Sequence, residues 1–558
     1  MAIGFLTAEM IAFAWQKRAF KVTPKKTDYD VRMQKHFNTA GPSKPELHYL
    51  IDPLSRIELD TVLPLIAQER YFVLHAPRQT GKTTCLLALR DALNAAGDYT
   101  AVYANIEGAQ AMRQNVGAAM QTIASVLGEK FEESLELPGL RIELMAIAHA
   151  AGPGDSLRTL LRAATERASK PVVLFLDEVD ALIGDTLISL LRQIRAGYTD
   201  RPTHFPQTIV LCGVRDVRDY RMTLSDGEVI TGGSAFNIKA ESLRLGDFTD
   251  AEIRALYLQH TGATGQIFSE SALALAWHLT QGQPWLVNAL AEHAVWKTKE
   301  NLDRHVEINE EKLRAASEAL ILRNDTHLDQ LSDKLREPRV RAIIEPMLLG
   351  FGIEASESDE QYLIDLGLVR RIDGRKNLIP ANAMYAEVLP RVLNSLTQSS
   401  LDSEHISSSW KDVTGRLNPR QFLLNFLDFW RKDGEPMMRT VLYHEAAPHL
   451  VLMAYLQRVI NGGGRIEREY AVGSGRLDLL LVYGAQKMAI EVKVWRDKRP
   501  DPLIDGMEQI ERYLARLNLT SGFLVLFDQR SSAPEWDARM SVSEMKTNSG
   551  RDVMVLRG

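Results

Sequence analysis

With 558 residues, the chain is longer than one ordinary domain, and three or four domains are expected from length alone. Its residues are 45% hydrophobic and 25% charged, the balance of a globular protein with full cores. A formal net charge of −6 excludes a globally basic nucleic-acid coat but leaves room for a local basic groove.

Two cysteines, Cys85 and Cys212, cannot build a disulfide framework; each lies in an apolar run as small core filler, which fits a reducing cytoplasm. The opening MAIGFLTAEMIAFAW is interrupted by Glu9 and lacks a basic start and a cleavage site. A short amphipathic helix is expected there rather than a signal or a membrane span. No later segment has the roughly 18 unbroken apolar residues that spanning needs, so a soluble, cytoplasmic protein with no membrane partner is expected.

Residues 1–65 form a lead. It carries Lys17, Arg18, Lys21, Lys25 and Lys26, followed by the loop FNTAGPSKPELHYLIDPLSRI. Over 66–245 the apolar runs YFVLHA, YTAVYANI, PVVLFLDE and TIVLCG alternate with helical patterns, which predicts a parallel sheet covered by helices. Over 246–395 the pattern turns helical, as in DAEIRALYLQH and SESALALAWHLTQ. It closes on a helix, a short strand, a turn at Asp373-Gly374 and a second strand, an order that resembles a winged helix. A Ser-rich linker, 396–417, includes TQSSLDSEHISSSW, and a separate α/β unit is expected over 418–558. There is no internal repeat.

APRQTGKTT, residues 76–84, follows the strand YFVLHA and precedes the helical run CLLALRDALNAA. Strand, glycine-bearing loop and helix are the setting of a phosphate-binding loop. Backbone N–H groups across Ala76, Gln79, Thr80, Gly81 and Thr84, with the helix N-terminus, would surround the phosphates. Lys82 would reach the β/γ oxygens, and the Thr83 hydroxyl would ligate Mg²⁺. Ala76 stands where the first glycine of such loops is usual.

PVVLFLDEVDAL, residues 171–182, reads as a doubly buried strand ending in two acids, at the strand end where open α/β sheets bind ligands. Asp177 would hold Mg²⁺ through water and Glu178 would polarise the attacking water. After the strand TIVLCG, either Arg215 or Arg218 could sense the γ-phosphate or simply face solvent or a partner.

APRQTGKTT, FLDEVDAL and the later GQPWLVNAL together resemble the AAA-like P-loop ATPases of the archaeal-type ATPase and STAND group, over about 40–395. That resemblance implies ATP or GTP binding at Lys82, Thr83, Asp177 and Glu178, with hydrolysis. It also implies a Gly-x-Pro turn, here Gly282-Gln283-Pro284, opening a lid helix, and a base pocket against the loop from His48 to Arg56. An arginine finger acting in trans would imply a homo-oligomer through the ATPase domain, though no single arginine stands out for that role.

GRLDLLLVYGAQKMAIEVKVW, residues 475–495, places Asp478 in one apolar strand, and Glu491 and Lys493 in the next. Carboxylates among strand apolars cost desolvation energy unless paired. A strand period of two puts Glu491 and Lys493 on one face, with Asp478 across a hairpin. Two carboxylates on a metal and a cation near the attacking water are what Mg²⁺-dependent phosphodiester cleavage needs. Oxygen-only ligands favour Mg²⁺ or Mn²⁺ over zinc. A plain Glu–Lys surface pair is the competing account of EVK.

GRLD, twelve residues and EVK, preceded by the helical HEAAPHLVLMAYLQRVI and followed by DPLIDGMEQIERYLARLN and SGFLVLF, resemble the PD-(D/E)XK nuclease superfamily over about 435–530. The resemblance implies a restriction-endonuclease-like α/β domain with Asp478, Glu491 and Lys493 catalytic, and a metal held by Asp478, Glu491 and the helix-one Glu445. The resemblance also implies a role for Gln509 and Tyr513, four apart on the following helix; Glu445 is equally readable as an ordinary helix-start charge, and Gln509 and Tyr513 as core-edge packing. Arg476-Leu477 stands before the acid where proline is nominal. Trp495, Arg496, Lys498 and Arg499 would contact a phosphate backbone or form a solvated turn; Arg370, Arg371, Arg375 and Lys376 would touch DNA or belong to a lid. DNA is the expected partner, and ATP and Mg²⁺ the expected cofactors. The competing expectations are an ATP-switched regulator whose last domain only binds DNA or protein, and a remodeller of protein tethered by that domain.

Overall fold

The computed structural model describes residues 35–215, 221–223, 229–231, 238–323, 331, 333–348, 355–371, 378–398, 416–440, 452, 455–456, 464–472 and 475–558. The basic lead and its amphipathic helix, Arg218, Asp373-Gly374, Arg375, Lys376, most of the linker, and Glu445 lie outside the described residues. For Asp478 only the backbone path is described. Two compact units emerge. One comprises 1–324, 360–370 and 381–384; the other comprises 325–359, 371–380 and 385–558.

The first unit is built on a five-stranded, all-parallel sheet. Its strands are β1 (Tyr71–His75), β2 (Thr100–Asn105), β3 (Val172–Asp177), β4 (Thr208–Gly213) and β5 (Lys239–Arg244), in spatial order β2-β3-β4-β1-β5. The apolar runs are continuous because both faces are covered. Val172, Leu174 and Leu176 enter one core with Val102, Ile209 and Leu211, while Val173 and Phe175 enter the other with Phe72, Leu74 and Val210. Period-two alternation is therefore present but hidden, since both faces demand apolar side chains.

Helix α1 (Lys82–Ala96) leaves β1 through the phosphate-binding loop and ends at Gly97, whose φ of +89° lets its N–H close onto Leu93 O. Three helices, α2 (Val116–Leu135), α3 (Leu140–Ala151) and α4 (Ser156–Arg167), intervene between β2 and β3, and α5 (Gly184–Ala196) follows β3. Three helices follow in the segment expected to be a lid: α6 (Asp250–Thr264), α7 (Glu270–Thr280) and α8 (Pro284–Glu292). A capping box at Thr249 and Glu252 starts α6. Pro284 at the first position of α8 and the Gln283 side chain accepting the Leu286 N–H start the third lid helix. Further along the chain are the helix Glu357–Asp365, the strands Val369–Arg371 and Leu378–Pro380, and the helix Ala383–Gln398.

The second unit carries a six-stranded mixed sheet. It is made of β6 (Gly464–Val472), β7 (Gly475–Tyr483), β8 (Gln486–Trp495), β9 (Ser521–Asp528), β10 (Ser541–Lys546) and β11 (Asp552–Arg557), ordered β6-β7-β8-β9-β11-β10. Antiparallel pairing joins β6, β7 and β8, while β8, β9 and β11 run parallel. One face packs the apolar side of Pro419–Thr440, with Phe422, Phe426 and Trp430, and also Leu452, Tyr455 and Leu456. Those last three are helical and buried, and the rest of HEAAPHLVLMAYLQRVI lies outside the described residues. Helix α9 (Leu503–Arg516) covers the other face through Ile510, Tyr513 and Leu514. No helix among the described residues is long and apolar enough to cross a membrane.

Candidate active site

At the end of β1 the chain turns through Gln79 (φ +59°) and Gly81 (φ +89°), so the backbone folds around a concavity before α1 begins. Two left-handed residues in so short a loop aim successive N–H groups inward, which makes a nest for anions. Inside it, Lys82 is 5% exposed, and its Nζ donates to Ala76 O and Pro77 O, both at 3.0 Å. Thr80 Oγ1 donates to Pro77 O at 2.8 Å, bracing the turn from within. The concavity opens on the N-terminus of α1, whose first N–H groups and dipole favour negative charge. Thr84 Oγ1 accepts the N–H of Ser43 at 3.1 Å, which ties the lead loop to that helix end.

The register pairs Asn105 with Asp177, bringing the acid to the carboxyl edge of the sheet beside the loop. Asp177 is fully buried and hydrogen-bonded from three directions. Oδ2 accepts from the Thr83 hydroxyl at 2.7 Å and from the Tyr103 hydroxyl at 2.8 Å; Oδ1 accepts the Glu178 N–H at 2.9 Å. A hydroxyl and a carboxylate side by side are oxygen donors of the kind a hard divalent cation takes, so Thr83 and Asp177 fit the expected Mg²⁺. Burial, then the Asp177 charge, push the Tyr103 hydroxyl far above the usual tyrosine range, so it stays a donor.

Glu178 sits in the left-handed region (φ +60°, ψ +39°), a strained conformation of the kind that clusters at functional sites. Burial first, then the neighbouring Asp180 charge, raise its pKa above the ordinary glutamate value. Both effects favour proton uptake, the property of a base poised nearer neutral pH. Asp180 itself accepts the Val214 N–H at 3.2 Å, tying this turn to the end of β4. Arg215, just beyond β4, lies with its guanidinium carbon 4.8 Å from the centre of the Tyr362 ring.

A cavity of about 120 Å³ continues from the loop. It is lined by the lead (Asn38, Tyr49 and Ile51 among others), by Gln79 and Gly81, and by Trp285 and Asn288 of the lid. Tyr49, Leu50, Ile51, Pro53 and Arg56 of the lead form one wall of it. Trp285 Nε1 donates to Thr39 O at 2.9 Å, and the Gln259 side chain bonds both the N–H and the C=O of Leu50. Arg56 donates to Thr80 O at 2.7 Å and Gly246 O at 2.6 Å, with its guanidinium over the Phe248 ring. One side chain thus joins the phosphate-binding loop to the entry of the lid. Gly282 (φ +83°) is required at that entry, because an added Cβ would lie 1.8 Å from Phe248 O.

In the second unit, Glu491 and Lys493 lie on the face of the sheet covered by α9. The neighbouring Ala489 and the cross-strand Leu524 and Leu526 belong to that face's core. Glu491 is 1% exposed, and its Oε1 accepts from Lys493 Nζ at 2.7 Å. A carboxylate this deep is not the exposed surface pair that EVK alone would allow. The register pairs Leu479 with Ile490, so Asp478 and Glu491 occupy the next step of the hairpin. Tyr513 is buried in the core under α9, which is the packing role weighed for it; Gln509 is half-buried on the same helix. Among the described residues there is no cluster of three or more His, Cys, Asp or Glu side chains that would hold a metal.

Trp495 ends β8. Its Nε1 donates to Arg499 O at 3.0 Å, and Arg530 stacks 3.3 Å over its ring. Arg530 is itself forked onto Asp528, and Arg557 is paired with Asp501, while Lys498 and Arg499 beside them are exposed.

Residues 66–220 match the AAA domain family. This segment is an AAA-type P-loop ATPase domain. No curated protein matches the chain. Among solved structures, a Walker-type ATPase of Pyrococcus abyssi is similar at 16% identity and a TM-score of 0.44, covering 63% of this chain and 99% of its own. Cdc6p from Pyrobaculum aerophilum is similar at 17% identity and a TM-score of 0.32, over 62% of this chain and 94% of its own. The RuvB Holliday junction branch migration motor of Thermotoga maritima follows at 14% identity and 0.31, over 58% and 90%. Within the AAA domain the loop residues, Asp177 and Glu178 come together as the motifs predict. Tyr103 and Arg56 were not singled out from the sequence. Tyr103 is one polar tip in a strand otherwise read as core, and Arg56 acts across 24 and 190 residues on backbone carbonyls that leave no sequence signal.

Proposed function

We propose that the chain is an ATP-binding and ATP-hydrolysing protein whose second unit is a Mg²⁺-dependent PD-(D/E)XK nuclease, with nucleotide controlling DNA cleavage. The observation that carries the first half is Asp177, buried and hydrogen-bonded to the P-loop Thr83 at the mouth of an anion nest. In this reading Lys82 and the loop N–H groups bind the phosphates, Thr83 and Asp177 hold Mg²⁺, and Glu178 takes a proton from the attacking water. When bound, Mg²⁺ would neutralise charge developing on the phosphates.

The second half is supported by Glu491, a carboxylate buried on a strand, with Lys493 on its oxygen and Asp478 one register step from the Leu479–Ile490 pair. Lys493 would orient the nucleophilic water and oppose the growing phosphate charge. Glu491 and Asp478 would supply the oxygen ligands for Mg²⁺, with Glu445 as a third. The chain would act in the cytoplasm, and its ATPase domain is where copies would assemble.

The test is cleavage of linear, nicked and single-stranded DNA with Mg²⁺, with and without ATP, comparing the wild type with Glu491→Ala. Cleavage that Glu491→Ala abolishes is the expected result. Hydrolysis of ATP without cleavage of any substrate would leave an ATP-switched protein whose second unit only binds.

A further inference from the structure

Asp177 receives more than its role as a metal ligand demands. Beside Thr83, which the cation would share, a second hydroxyl reaches the same Oδ2 atom: Tyr103, at 2.8 Å. The two residues sit on neighbouring strands. Asn105 pairs with Asp177 and Tyr103 with Phe175, so the tyrosine stands one strand across and two residues back from the acid. Its ring packs into the core beneath α1 with Phe175 and Cys212, fixed by the sheet rather than by the mobile edge of a loop. The Glu178 N–H holds the other oxygen, Oδ1, at 2.9 Å. Two fixed donors, one per oxygen, leave the carboxylate plane no freedom to swing, even when Thr83 turns its oxygen to a metal.

We propose that Tyr103 is a positioning residue for the divalent cation of the nucleotide site, clamping Asp177 so that its free lone pairs face the cation's water shell. Partners that orient a metal ligand commonly set metal affinity, and losing one costs on the order of 10–100-fold. The proposal rests on the nucleotide reading above. It differs from a packing role because Tyr103→Phe keeps the ring and its apolar contacts and removes only the O–H donor.

Mn²⁺ serves as the probe, because its bound and free forms are distinguished by electron paramagnetic resonance. The full chain is loaded with a non-hydrolysable ATP analogue and titrated with Mn²⁺, for wild type and Tyr103→Phe. Binding of fluorescent ATP in excess chelator is measured alongside. The expected result is a weakening of Mn²⁺ affinity by about 10-fold or more in Tyr103→Phe, with cation-free ATP binding unchanged. Equal Mn²⁺ affinity in the two proteins would overturn the clamp while leaving the nucleotide site intact. Equal loss of Mn²⁺ and cation-free ATP binding would overturn it too, by showing a structural role. A wild type that binds no nucleotide would instead remove the site on which both readings rest.

Discussion

Asp177 and Glu491 are both buried carboxylates on sheet strands, yet they are held in different ways. Asp177 takes donors from a loop, a neighbouring strand and the following residue, so its position is set by three segments brought together by the parallel sheet. Glu491 takes the ammonium of Lys493, two residues further along its own strand. The first arrangement is long-range and depends on the fold; the Glu491–Lys493 contact is built into the period of a single strand. Pre-organisation from several directions is what positions a ligand within the tolerance catalysis needs.

The sharpest way to break this comparison is to remove the centre of the nest. Lys82→Ala should lower ATP turnover by on the order of 10²–10³-fold, because a preorganised cation acting on the phosphates is lost. Steady-state phosphate release measures it, and turnover within threefold of wild type would refute the assignment.

Glu178→Gln should cost on the order of 10²–10⁴ in turnover while ATP still binds, since it removes a base and little else. Fluorescent-ATP titration beside phosphate release separates the two effects. Parallel loss of binding would show Glu178 to be structural.

The pH profile of turnover sharpens the same point. Burial raises the Glu178 pKa, so protonation removes the base at a pH above the ordinary glutamate range, and activity should fall on acidification earlier than an exposed glutamate would allow. The stability effect has the opposite sign. An acid with a raised folded pKa destabilises the fold once pH rises through that value, so Glu178→Gln should stabilise the protein slightly at neutral pH. An acid limb at the usual glutamate value would contradict the assignment.

Smaller effects are expected in the supports. Gly282→Ala drives a Cβ into Phe248 O at a position with φ +83°, and should destabilise by about 1–3 kcal/mol, read as a drop in melting temperature. Lys493→Met leaves Glu491 buried without its ammonium. With the lysine side chain 23% exposed, a similar loss of about 1–3 kcal/mol is expected, read as a drop in melting temperature.

The same contrast explains what was legible in the sequence. Loop, Walker acids, hairpin and the Glu491–Lys493 pair all depend on short spacings, and each appears where the residues place it. Four sheet strands of the first unit were readable because double burial makes them continuous apolar runs. The fifth, Lys239–Arg244, was missed because KAESLR alternates charge and carries little apolar signal. Three helices stand between β2 and β3, a detail that alternating βα patterning does not resolve. In the second unit β10 and β11 escaped notice: SVSEMK is exposed along its whole length, and an edge strand of that kind has no hydrophobic face to announce it. The helix Pro419–Thr440 was absorbed into the expectation of a separate unit, although its Phe422, Phe426 and Trp430 recur at the four-residue spacing of a core stripe. Arg56 and Tyr103 act on partners far away in sequence, and no pattern within a short window encodes them.

The central claim is that one nucleotide site governs one carboxylate site on the same chain. DNA cleavage by the wild type and Lys82→Ala, followed with Mg²⁺ across a range of ATP concentrations, tests it most directly. The account predicts cleavage that responds to ATP in the wild type and does not respond in Lys82→Ala. Identical cleavage by the two proteins at every ATP concentration would contradict it.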